Sequence, residues 1–106
     1  MKAAKRKKLE QAGWRVGSAE DFLGLSKEEQ ALVEIKLALA GAVKAQREKH
    51  RLSQSVLAAR IRSSQSRVAK IEAGDPSVSL DLLVRAALAA GATKKELAKA
   101  FTVASR

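Results

Sequence analysis

The chain contains no cysteine. That excludes a disulfide framework and thiolate metal sites, and it fits a reducing cytosol without requiring one. Aromatic residues number three, Trp14, Phe22 and Phe101. The core must therefore come from Leu, Val, Ile and Ala, and few rings are left to stack on unpaired bases. Proline occurs once, at Pro76, and no segment alternates β-branched with polar residues as a strand would. No apolar run approaches the ~20 residues of a membrane span. The basic start over residues 1–8 is not followed by the apolar stretch of a secretion signal. The expectation is a soluble, cytoplasmic protein with no membrane role.

Catalytic patterns are missing as well. The single histidine, His50, sits between Lys49 and Arg51 at a helix end, where a surface role is the plainer reading than a general base. Glu20 with Asp21, and Glu28 with Glu29, suit the starts of helices and need no chemistry there. No glycine-rich phosphate loop or nucleophile motif occurs. No enzyme, cofactor or metal is expected.

What the chain has in excess is positive charge, +10 in all, and it is unevenly spread. Residues 1–16 carry Lys2, Lys5, Arg6, Lys7, Lys8 and Arg15 against Glu10, a net of +5. Residues 17–43 are acidic by three charges. Residues 44–74 carry Lys44, Arg47, Lys49, Arg51, Arg60, Arg62, Arg67 and Lys70 against Glu48 and Glu72, a net of +6. A patch of this kind displaces counterions from phosphates and supplies non-specific affinity for nucleic acid.

Alanine richness and helix-start signals predict an all-α protein. A helix over residues 5–12 and a short one from Ser18 are expected in an N-terminal extension, residues 1–25. Residues 26–106 form the expected main domain. Ser26 and Glu29 make a capping box that opens a helix to about His50. Leu32, Ile35, Leu39, Ala42 and Val43 read as its core stripe, with Val33, Leu37 and Ala40 on a flanking face. Ser53 opens a second helix, with Val56, Leu57 and Ile61 inward. Ser63 or Ser64 opens a third, with Val68 and Ile71 inward. Gly74 and Pro76 stop that helix. Ser79 opens a fourth with Leu80, Leu82, Leu83, Ala86, Ala87 and Leu88, and Thr93 with Glu96 opens a fifth with Leu97, Ala100 and Phe101.

Residues 52–74 thus read as two short helices and a tight turn, the layout of a helix-turn-helix reader. If Val68 and Ile71 face inward, Gln65, Ser66, Arg67 and Lys70 are left for the groove. Gln suits adenine, Arg suits guanine, and Ser adapts to either. Gln54, at the start of the preceding helix, can meet a phosphate or brace Gln65. Arg51, Ser53, Arg62, Ser63 and Ser64, at helix starts and in the turn, are candidate phosphate contacts. RNA is the less favoured partner, because a helix of this kind suits the duplex DNA major groove.

Taken together, Leu52-Ser53-Gln54, Leu57-Ala58, Ser64, Ile71-Glu72-x-Gly74 and Ser79-Leu80 resemble the lambda-repressor-like, or XRE, helix-turn-helix family over about residues 36–90. The resemblance implies a compact bundle of four or five helices, with Gln54, Gln65, Ser66 and Lys70 at the DNA and Arg67 on the recognition helix. It also implies a structural ion pair between Arg47 and Glu72. The chain departs from the family at Arg62, where glycine is common and a left-handed backbone is wanted. In the extension, Trp14, Val16, Phe22, Leu23 and Leu25 concentrate large apolar groups, as a cap on the bundle or as partner anchors. With the extension, the chain resembles HigA-type antitoxins, which bind RelE- or HigB-like ribonuclease toxins and repress their own operons. The alternative is a stand-alone repressor. Half-sites one duplex turn apart call for a homodimer, with residues 80–97 and Phe101 as the candidate surface.

Overall fold

The computed structural model describes residues 24–104. The helices expected within residues 1–23, and the candidate anchors Trp14, Val16, Phe22 and Leu23, lie outside the described residues. Among the described residues there are five helices and no strand: α1 Lys27–Lys49, α2 Gln54–Arg60, α3 Gln65–Ala73, α4 Leu80–Ala89 and α5 Lys94–Ala104.

Each helix starts where a short polar side chain can take up a free amide. Ser26 and Glu29 form a reciprocal capping box at α1, both bonds 3.0 Å. The hydroxyls of Ser53, Ser64 and Ser79 accept from the amides of Val56, Arg67 and Leu82. Thr93 and Glu96 repeat the reciprocal box at α5, with bonds of 2.9 and 3.1 Å. These bonds satisfy amides that the helix itself leaves unpaired.

Helices α1 to α4 also end alike. Each is followed by a left-handed residue: Arg51 (φ 55°), Arg62 (φ 53°), Gly74 (φ 74°) and Gly91 (φ 113°). The next amide reaches back over the last turn, from Leu52 to Arg47 O (2.9 Å), Ser63 to Ala58 O (2.8 Å), Asp75 to Lys70 O (3.1 Å) and Ala92 to Ala87 O (3.0 Å). This closure needs positive φ, which glycine adopts freely and arginine does not. At Gly91 a close approach adds a second reason for glycine. A Cβ there would stand 2.5 Å from the His50 ring.

Helix α1, at 23 residues, is the spine. It packs chiefly on α4 and α5, while α2 and α3 pack on each other and α3 rests on α1. Leu39, Leu57, Ile71, Leu83, Val43 and Val68 are the largest fully buried side chains. Alanines at 40, 58, 86, 87, 90 and 92 let the backbones approach closely between them.

Two core assignments are corrected. Leu32 and Val56 are 43% and 44% exposed rather than buried. Leu32 lies in the second turn of α1, before the main core cluster begins at Leu39. The side of α1 read as flanking is itself interior: Val33, Leu37 and Ala40 are buried, whereas Ile35 and Ala42 are only partly so. A helix this long meets neighbours on two sides, so one periodic stripe under-counts its buried face.

Candidate nucleic-acid interface

The site begins with the inner face of α3. Val68 and Ile71 are fully buried, which turns Gln65, Ser66, Arg67, Ala69 and Lys70 outward, all exposed. None of the five carries negative charge, and two carry positive charge. Such a surface offers donors for base edges and cations for phosphates.

Glu72 is the one acidic residue on this helix, and it does not face solvent. Its side chain is 5% exposed and receives Arg47 as a fork: Nε to Oε2 at 2.6 Å and Nη2 to Oε1 at 3.0 Å. The remaining Arg47 nitrogen, Nη1, donates to Leu52 O at 2.8 Å. One guanidinium thereby joins α1, the α1–α2 loop and the end of α3. Bonding to Glu72 pushes the Arg47 pKa up beyond its usual high value. Such bidentate charge-assisted bonds are the strong, directional kind.

Gln54 extends the network. Its Nε2 donates to Glu72 Oε1 at 3.2 Å, and its Oε1 accepts from Gln65 Nε2 at 3.4 Å. The structure therefore places Arg47, Glu72, Gln54 and Gln65 in one continuous polar chain running from α1 to the start of α3.

The candidate phosphate contacts divide into two kinds. Ser53 and Ser64 spend their hydroxyl oxygens as helix caps, and Ser64 also shares a 3.1 Å bond with Ser66 Oγ. Arg51 and Arg62 are exposed and occupy the two left-handed non-glycine positions among the described residues, with Ser63 half-buried beside the second. Leu25, the one candidate partner anchor within the described residues, is half-buried, and its carbonyl accepts from Gln30 Nε2 at 3.1 Å.

Two arginines that support the site carry no sequence signal of their own. Arg60, at the end of α2, donates to Ala89 O at the end of α4 (3.0 Å). Arg85, in α4, donates to Ile61 O at the end of α2 (3.5 Å). Each helix thus caps the other's carbonyl end, where positive charge is favoured. The partners are 24 and 29 residues apart, so no local pattern could have found them.

A buried-backed short helix with a polar, acid-free outer face, braced on a second helix across a tight turn, defines a helix-turn-helix DNA-binding module. The sequence matches the helix-turn-helix family over residues 43–97, more than half of its length. The chain belongs to that family, of the XRE type, and is a DNA-binding transcriptional regulator. No curated protein matches the chain, and no solved structure does. No helix among the described residues is long and apolar enough to cross a membrane.

Proposed function

We propose that the protein is a sequence-specific repressor that binds its operator as a homodimer, with α3 in the major groove. The observation that carries this reading is the outer face of α3, where Gln65, Ser66, Arg67 and Lys70 are exposed together over a buried Val68 and Ile71. In this reading Gln65, Ser66, Arg67 and Lys70 meet base edges, with Gln54 supporting Gln65. Arg51, Ser53, Arg62, Ser63 and Ser64 hold the phosphates. In this reading a partner copy packs on α4 and α5 around Leu88 and Phe101, which are 44% and 38% exposed; Leu83, Ala86, Ala87 and Leu97 belong to the core.

Footprinting on the DNA upstream of the protein's own gene, followed by titrations on the protected site and on random duplex, tests this. Gln65→Ala and Arg67→Ala are expected to cost about 1–3 kcal/mol each on the operator and little on random DNA. Arg51→Ala is expected to weaken both alike and to flatten the salt dependence by about one unit of slope. Equal losses on both DNAs from all three substitutions would contradict the division of roles. Function as an antitoxin rests on the sequence resemblance alone. Its candidate anchors, Leu25 apart, lie outside the described residues. Co-purification with a RelE- or HigB-like toxin encoded beside it decides between that role and a stand-alone repressor.

A further inference from the structure

The polar chain between α1 and α3 carries a direction as well as a position. A carboxylate accepts hydrogen bonds and donates none. Glu72 Oε1 and Oε2 receive Arg47, and Oε1 also receives Gln54. Gln54 must therefore turn its NH2 toward Glu72. A carboxamide has one donating and one accepting end, so its oxygen is left toward α3. That oxygen lies 3.4 Å from Gln65 Nε2. Gln65 in turn must offer NH2, not oxygen, to Gln54. Each amide takes its polarity from the one before, and Glu72 sets the sign for both.

The consequence falls on the base that Gln65 would meet. With one N–H given to Gln54, Gln65 keeps one N–H and a free oxygen. That donor–acceptor pair complements adenine, which shows N7 as acceptor and the N6 amino group as donor. If Gln54 were inverted, its NH2 would occupy the oxygen of Gln65 and leave two N–H groups outward. Two donors complement guanine, whose N7 and O6 both accept. We propose that Glu72 is a positioning residue for sequence preference: through Gln54 it holds Gln65 in the polarity that selects adenine over guanine. The inference rests on α3 being the groove helix, as argued above. It adds that the base preference is set by a nearly buried carboxylate that never touches DNA.

The test uses the full chain and site selection from a random duplex library. Titrations then follow on sites carrying A or G at the position whose preference Gln65→Ala abolishes. Glu72→Gln replaces the acceptor-only group with one that permits either polarity. Gln54→Met cuts the chain while leaving the Arg47–Glu72 fork in place, and it decides the matter if Glu72→Gln does not fold. Wild type is expected to favour A over G by on the order of tenfold to a hundredfold. Both variants are expected to fall to within about threefold, with Gln54→Met melting close to wild type. If folded variants keep the wild-type ratio, the polarity role of Glu72 is overturned and the groove helix stands. If wild type prefers another base there, the inference also fails. If wild type selects no motif, the groove-helix reading fails and takes this one with it.

Discussion

Arg51 and Arg62 carry a conformational cost that their sequence neighbours reveal only in part. The same post-helix position is glycine at 74 and 91 and arginine at 51 and 62. A left-handed backbone costs an L-residue roughly 1–2 kcal/mol, and such strain persists where the surroundings over-determine it. Here the over-determination is the amide of Ser63 bonded to Ala58 O, and that of Leu52 to Arg47 O. Arg62→Gly should therefore raise the urea midpoint, by about 1 kcal/mol of stability. It should also weaken binding to any duplex and lower the salt slope by about one. A lower midpoint would mean that the arginine side chain, rather than the turn, dominates at this position. The family pattern already marks Arg62 as a departure, and the left-handed backbone is kept without the glycine. Nothing in the sequence marks Arg51 in the same way, because its turn lies outside the helix-turn-helix itself.

At the scale of helices, the orientation of α3 depends on the fork from Arg47 in α1. The pair is nearly enclosed, with side-chain exposures of 14% and 5%. Removing one partner leaves a desolvated charge behind, at a cost of about 3–5 kcal/mol. A domain of this size has about 5–15 kcal/mol in total. Arg47→Ala is thus expected to take away a large share of stability in urea melts, and a melting curve like that of wild type would rule the structural role out. The capped helix starts at Ser26, Ser53, Ser79 and Thr93 are legible from local sequence, because a cap is decided within four residues; between Ser63 and Ser64 the structure selects Ser64. The buried side of α1 is not. Leu32 fits the apolar period and is exposed, while Val33 and Leu37 fall off the stripe and are buried. Which neighbours a long helix meets is settled by elements far along the chain.

For the molecule as a whole, closure of the bundle has an acid-sensitive clasp. Glu96, at the start of α5, takes the amide of Thr93, then Gln46 Nε2 at 2.7 Å, with Lys49 at 3.7 Å. The Thr93 amide contributes most, and together these partners lower its carboxyl from 4.5 to about 2. A carboxyl depressed on folding adds stability that is fully present above about pH 4.5 and lost as the pH falls toward 2. Thermal melts are expected to decline across that window. Glu96→Gln should lower the melting temperature at neutral pH and flatten the decline. It should not abolish it, because Glu29 and Asp75 are also held low by Ser26 and Ser77. A variant with the wild-type acid profile would show that α5 docks by apolar packing alone.

By itself the sequence determined the helices, their caps, the basic stretch and the identity of the outward residues on α3, because each follows from spacing and residue type over a few turns. Tertiary structure decided what those residues are held by. The fork at Glu72, which the family resemblance implied but no local spacing shows, the reciprocal caps of Arg60 and Arg85, and the clasp at Glu96 join residues 24 to 50 positions apart. A hydrogen bond depends on where two atoms meet, and only the folded chain brings such distant positions together.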